Sequence, residues 1–334
     1  FLILYGGPHD QVDECAGHIL TSMRTVFSVE SVYLYCTVSI GITLINHDIH
    51  RPNRLIQNAE IAVRLAHEKG GDQVQHYSDD AHIDTAVSIQ IGQDLRRAIE
   101  NDEFSVVYQP TVDAQTGKWR ALEALMRWHH PHIGLLMPGR FLHVAEKLGL
   151  MRHIDQLIAR RIRTETAEIL DKTDWRIQIN CSGINIDAPY IDFLIEVLEP
   201  QRFPGRFTIE ITEHMLLGNS AETIRLVERM QAVGFQIALD DFGTGYSSLA
   251  YLQRLPIDYL KIDRTFVANM FTAEGAAMLH AIINLAANLH MQTIAEGVET
   301  DEQRKTLAEL LCTELQGYFF QRPVPIDQLP VSLN

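Results

Sequence analysis

From Phe104 onward, short apolar runs recur along the chain with amphipathic stretches between most of them. The runs are FSVVYQP, RALEALMRW, RIQINCS, FTIEIT, FQIALDD, DYLKID, QTIAEG and LQGYFF, each the length of a strand buried on both faces. Between them, apolar residues fall at helical spacing. RHIDQLIARRIRTETAEIL is one such helix; NSAETIRLVERMQAVG is another, with Asn219 or Ser220 placed to cap its start and Gly234 its end. Eight strands joined by helical crossovers predict a closed β/α barrel. One connection breaks the rule: TVDAQTGK, between the first two runs, is too short for a helix and carries turn residues, so that pair is predicted to be an antiparallel hairpin. The expected fold class is α/β, a TIM-like (β/α)8 barrel with one antiparallel strand.

Residues 1–78 follow a mixed α+β rhythm instead. FLILY reads as a strand, followed by a Gly-Gly-Pro turn, a helix from about Gln11 to Phe27, strand-like VYLYCTVSIGITLI, a helix over NRLIQNAEIAVRLAHEKG and a strand DQVQHYS. This pattern begins part-way through a domain. Residues 79–100 read as a connecting helix, and 101–334 as the barrel domain.

In a β/α barrel, chemistry gathers where the carboxyl ends of the strands converge on one mouth. Those ends carry Glu123, Asn180, Glu210, Asp240 with Asp241, Lys261, Glu296 and Gln316, most of them about one strand-helix unit apart. Five carboxylates at one mouth repel one another and need a compensating cation. The donors are all oxygen, which suits magnesium or manganese, and the adjacent aspartates suit two ions sharing a bridging carboxylate. On its own, an Asp-Asp pair before a glycine turn is more often a solvated loop; the recurrence of polar residues at successive strand ends is what points to a site. Arg127 fits a structural role or a phosphate contact, through its fixed fork of donors. His129, His130 and His132 crowd around a proline and do not make a zinc site; a polar loop after the second strand is the better reading.

Composition narrows the choice of partner. The 334 residues are 46% hydrophobic and 21% charged, and 28 basic against 43 acidic side chains leave a formal charge of -15. A nucleic-acid polymer needs basic surface, so none is expected; a small anionic substrate is admissible where bound cations reverse the local field. Cys15, Cys36, Cys181 and Cys312 lack metal or redox spacing and read as free thiols. No apolar run reaches about eighteen residues, so no membrane segment is expected, and the protein is read as cytoplasmic, any upstream sensor or anchor lying before Phe1.

The motifs EALMRW, INCS, EITE, DDFGTGYSSL, LKID, AEGVE and QGY, in this order, resemble those of the EAL-type cyclic-di-GMP phosphodiesterases over about residues 101–330. By position, the resemblance implies that Glu123, Asn180, Glu210 and Asp240 hold one Mg2+ or Mn2+ ion, while Asp240 and Asp241 hold a second. It implies that Lys261 orients the attacking water and that Glu296 serves as general base or as a ligand through water. Glu123, Lys261 and Glu296 form the catalytic set. Arg127, Gln109 and Gln316 are assigned to substrate, with Gln316 and Glu299 also supporting the second metal and the lysine. Glu213 would tie down the loop 242–248, which holds Gly243 and Gly245 and touches a homodimer interface in the family. His214 and Met126 are small departures from the family pattern that change no ligand.

The implied activity is hydrolysis of cyclic-di-GMP to linear pGpG. A catalytically silent cyclic-di-GMP receptor is the competing expectation, and a scaffold without nucleotide affinity a third. Residues 1–78 resemble the latter part of a GGDEF-type diguanylate cyclase domain through the strand after Phe1, Ser39-Ile40-Gly41 and the segment 59–70. Ala59-Glu60, Ala62-Val63-Arg64 and Ala66-His67 depart from that family's final helix, so a degenerate, regulatory or scaffolding half-domain is expected.

Overall fold

The computed structural model describes residues 2–8, 11–24, 26–29, 32–35, 37–45, 52–68, 71–77, 79–182, 186–212, 221–242, 252 and 254–329. The chain forms two compact units, Phe1–Gln93 and Asp94–Asn334, which divide within the long helix Asp79–Glu100.

In the first unit, the helix Val12–Met23 is followed by an antiparallel pair, β1 (Val26–Val29) and β2 (Val32–Tyr35). Strand β3 (Ile40–Ile42) runs parallel to β4 (Val74–His76), with the helix Pro52–Glu68 as the crossover between them. Gly41 lets that helix approach closely: a Cβ there would stand 2.3 Å from the carbonyl oxygen of Ala59. The long strand expected over 32–45 is thus split, and the strand expected at 1–5 is not formed over 2–5. Leu2, Ile3 and Leu4 are instead exposed, with no described strand beside them to pair their backbone.

The second unit is the barrel. Its strands are β5 (Phe104–Asp113), β6 (Trp119–His130), β8 (Arg176–Asn180), β9 (Phe207–Thr212), β10 (Gln236–Phe242), β11 (Tyr259–Ile262), β12 (Gln292–Ala295) and β13 (Glu314–Gln316). A short β7 (Gly134–Leu136) folds back onto the end of β6. Pairing runs in the order β5, β13, β12, β11, β10, β9, β8, β6, and β6 returns to β5, closing the cylinder. Strand β5 is antiparallel to both its neighbours and the other pairings of the cylinder are parallel, as the short hairpin connection requires. Asp113 shapes that turn by accepting from the backbone N–H groups of Gln115 and Thr116, and Gly117 supplies a positive φ of 70°.

Alternation assigns each strand two buried faces. In β9, Phe207, Ile209 and Ile211 pack outward against the helical layer while Thr208 and Glu210 point inward, and all five are buried. Ala238, Tyr259 and Ile294 form an apolar cluster on neighbouring strands. The helix expected over 152–170 is broken into Met151–Glu165 and Ala167–Lys172 at Thr166, whose buried hydroxyl donates to the Ile162 carbonyl one turn back. The last strand ends earlier than LQGYFF suggests. Gly317 presses on Val298, where a Cβ would meet the carbonyl oxygen at 2.0 Å, and the backbone turns away after Gln316. Among the described residues no helix is long and apolar enough to cross a membrane.

Candidate active site

Parallel strands in register carry side chains of the same parity to the same wall, and this brings the polar strand ends together. Glu123 on β6 lies beside Gln178 on β8, Asn180 on β8 beside Glu210 on β9, and Gln109 on β5 directly across the hairpin from Glu123. At the centre stands Lys261 of β11, which is 1% exposed. Its Nζ lies 2.7 Å from Glu296 Oε1, 2.8 Å from Glu210 Oε2, 3.3 Å from Asp240 Oδ1 and 3.4 Å from Glu123 Oε1. One ammonium therefore serves four carboxylates. The cation that lets them share the mouth in the described geometry is a side chain of this chain.

Glu123 is held from two further sides. Asn180 Nδ2 donates to its Oε1 at 3.1 Å, and Gln316 Nε2 donates to its Oε2 at 2.5 Å. Gln316 Nε2 also reaches Gln109 Oε1 at 3.2 Å, and Gln109 Nε2 donates to the Gln321 carbonyl at 3.0 Å. Burial alone would raise the Glu123 carboxyl, but the Lys261 ammonium and the donors from Gln316 and Asn180 outweigh it, so its pKa lies below the usual carboxylate value. Glu210 goes the other way. Burial lifts it well above the ordinary value, the Lys261 charge opposes, and the Glu123 and Asp240 charges lift it further. Burial likewise pushes Glu296 up to about 7 against the pull of Lys261, with Asp240 and Glu123 adding to the rise. For Lys261, burial would favour the neutral amine, but the four surrounding carboxylates hold it well above its usual pKa and keep it charged.

The donor set suits a hard divalent cation. Glu210 Oε1 is buried with no hydrogen-bond partner, an acceptor with nothing to accept from, and the carboxylates outnumber the ammonium. In the described geometry they close on Lys261, and among the described residues no group of three or more His, Cys, Asp or Glu is already arranged as a cation cage.

The other expected residues fall in three places. Arg127, half-buried on β6, donates to the Met126 carbonyl at 2.8 Å; burial lowers its pKa, opposed by the nearby Tyr318 and Glu123. Glu299 is exposed beside the cap of the helix Asp301–Glu309, its backbone N–H donating to Gln303 Oε1. Gln316 meets Glu123 rather than the lysine. Asp241 belongs to β10, but its side chain, like Glu213, His214, Gly243 and Gly245 and the loop 243–248, lies outside the described residues. His130 is a strand-end lock: it is 2% exposed, with Nε2 3.1 Å from Asp94 Oδ2 and Nδ1 accepting from the His132 and Ile133 backbone N–H groups.

The sequence reading missed Thr111 and Gln178, both fully buried beneath the carboxylates. A signal for them existed. Gln109, Thr111 and Asp113 alternate with apolar residues in β5, as Gln178 and Asn180 do in β8, which marks an interior face that is polar below the mouth as well as at it.

A closed barrel that gathers carboxylates around one buried lysine at the carboxyl ends of its strands defines an acidic β/α-barrel class. The chain belongs to the EAL domain family, whose pattern matches residues 92–323. It is 34% identical to "Cyclic di-GMP phosphodiesterase NbdA" of Pseudomonas aeruginosa, a match covering 97% of this chain and 43% of that protein. It is 35% identical to "Bifunctional diguanylate cyclase/cyclic di-GMP phosphodiesterase MucR" of the same organism, over 89% of this chain and 44% of that one. The chain thus spans less than half the length of either relative. Among solved structures, "PaMucR Phosphodiesterase, c-di-GMP complex" superposes with a TM-score of 0.68 at 38% identity, covering 72% of this chain and 99% of that one.

Proposed function

We propose that this chain hydrolyses one phosphodiester of cyclic-di-GMP to linear pGpG in a reaction that depends on Mg2+ or Mn2+. The observation that carries the reading is the convergence of Glu123, Glu210, Asp240 and Glu296 on Lys261 in a chain of the EAL family. Glu123, Asn180, Glu210 and Asp240 would hold one ion and Asp240 with Asp241 a second, and when bound they would supply charge for the phosphate oxygens and acidify water.

The chain's own residues supply the rest. Arg127 offers a planar fork to a phosphate oxygen. Gln316, itself held by Gln109, fixes the Glu123 carboxylate, and Lys261 keeps Glu210 and Glu296 from spreading apart. Glu296, with its pKa near neutrality, accepts the proton of the attacking water at a carboxylate oxygen. As the new P–O bond forms, the P–O3′ bond breaks; the oxygen of the departing ribose takes a proton from solvent, leaving a 5′-phosphate and a 3′-hydroxyl. The cytoplasmic compartment, homodimerisation through the barrel and the descent of residues 1–78 from a GGDEF-type domain belong to the same proposal. The last is supported by the relative NbdA, whose match runs through both units, and by the bifunctional name of MucR.

The test is incubation with cyclic-di-GMP and Mg2+ or Mn2+, followed by separation of products. Accumulation of pGpG is the expected outcome. Nucleotide binding without turnover under both metals would make the chain a receptor, and neither binding nor turnover would make it a scaffold.

A further inference from the structure

Beneath the carboxylates, a layer of polar side chains crosses the interior of the barrel. Thr111, Gln178 and Thr208 are fully buried, and Gln316 is 4% exposed. Strand pairing sets Gln316 beside Thr111, and Gln178 beside Thr208. The Thr111 hydroxyl lies 2.9 Å from Gln178 Oε1 and 3.3 Å from Gln316 Oε1. It has one proton and faces two amide oxygens. Meanwhile Gln178 Nε2 and Thr208 Oγ1 have no hydrogen-bond partner.

The two ends of an amide have the same shape, so the surrounding network decides which way round it sits. Turning over the Gln178 amide removes the conflict at Thr111. Its amino group then donates to Thr111 Oγ1, which frees the one hydroxyl proton for Gln316 Oε1. Gln316, its oxygen occupied, is fixed with its amino group toward Glu123 Oε2 and Gln109 Oε1.

We propose that Gln178 and Thr111 are positioning residues: a one-way donor relay, Gln178 to Thr111 to Gln316 to Glu123, which sets the amide of Gln316 and so the orientation of the Glu123 carboxylate. Neither touches substrate. Their role in turnover rests on the phosphodiesterase reading; the relay itself does not. Without the Thr111 hydroxyl, the Gln316 oxygen loses its donor, the amide has no preferred sense, and a flipped amide would set its oxygen against the Glu123 carboxylate.

The test uses the whole chain with Thr111→Val, which keeps the shape and removes the hydroxyl, and Thr111→Ser, which restores it. In metal-free protein carrying 15N-glutamine, the Gln316 side-chain amide is identified by its loss in Gln316→Met. The relay requires that Thr111→Val move or broaden that resonance and speed its proton exchange about fivefold or more. Thr111→Ser should return it to the wild-type position. In turnover, Thr111→Val should lower kcat by about five- to tenfold with KM little changed, and weaken Mn2+ binding measured by calorimetry. A folded Thr111→Val protein with an unaltered Gln316 resonance overturns the relay, whatever its activity. A wild-type protein that shows the resonance effect but never cleaves cyclic-di-GMP upholds the relay and sinks the functional reading.

Discussion

The barrel buries charge at both ends, and it does so in opposite ways. At the floor, where the parallel strands begin, Arg176 Nη2 lies 2.8 and 2.6 Å from the two oxygens of Glu314, and its guanidinium stacks 4.4 Å from the centre of the Tyr259 ring. There one cation meets one anion. At the mouth, one ammonium meets four carboxylates. A matched pair in low dielectric is stable as it stands and recruits nothing, whereas unmatched like charges are stable only with a further cation or with protons. The floor leaves no charge unmatched between Arg176 and Glu314, and the mouth leaves four carboxylates to one ammonium.

The largest separation of the two ends should come from Glu123→Gln. If the excess of carboxylates is functional, neutralising one of them lowers cyclic-di-GMP hydrolysis by at least about a hundredfold in protein that remains folded. Activity within a few-fold of wild type would remove Glu123 from the machinery. The mirror-image change is Arg176→Met. It leaves Glu314, 3% exposed, without its partner, and should cost about 3–5 kcal/mol in denaturant unfolding with Mn2+ affinity unaltered in the protein that remains folded. A floor variant that lost metal binding without losing stability would abolish the distinction.

A smaller effect, and a more pointed one, is expected of Lys261→Met. The substitution takes from among Glu123, Glu210, Asp240 and Glu296 the one ammonium that the described residues place within 3.4 Å of all four, while keeping a long apolar stem in a buried position. The metal-free protein should melt below wild type. Saturating Mg2+ should then raise the melting temperature by more in the variant than in wild type, since bound ligand stabilises the folded state by about 2.7 kcal/mol at a hundredfold excess over Kd. Equal shifts in the two proteins would mean that the lysine and the divalent cation do not answer to the same charges.

The two ends also differ in how readable they are in the sequence. The mouth residues stand out because Glu123, Glu210, Asp240 and Lys261 interrupt apolar strands at one level, and period-two alternation does the rest. The closed cylinder and its reversed strand follow from the count of runs and one short connection, TVDAQTGK. What does not follow is who pairs with whom. Arg176 and Glu314 are 138 residues apart, as are Lys261 and Glu123, and only closure of the barrel makes them neighbours. The alternation of Thr111 and Gln178 with apolar neighbours was legible as a polar interior face, but which of these residues meet was not, since an interior Thr on one strand needs its cross-barrel partner to acquire meaning. In the first unit, 2–5 read as a strand from apolar content alone, but a strand exists only with a neighbour to receive its hydrogen bonds.

The smallest effect is that of pH on the mouth, with the floor as control. Glu296 has its pKa pushed from 4.5 up to about 7, first by burial and then by the neighbouring Asp240 and Glu123 charges, against Lys261. A carboxyl whose folded-state pKa lies above its unfolded value favours the folded state below the unfolded pKa, and that contribution is lost as pH rises through the folded one. The metal-free protein should therefore lose stability between about pH 4.5 and 7. A divalent cation favours the ionised carboxylate, so its uptake must release a proton where Glu296 still holds one. Calorimetric titration with Mn2+ in buffers of different ionisation enthalpy should show proton release at pH 6 that fades by pH 8, and apparent affinity that weakens on acidification. Glu296→Gln should abolish that part of the dependence, while Arg176→Met, acting at the matched end, should leave it intact. Proton release that is unchanged from pH 6 to 8, or that survives Glu296→Gln, would move the titrating group elsewhere in the cluster and leave Glu296 without a claim to the water's proton.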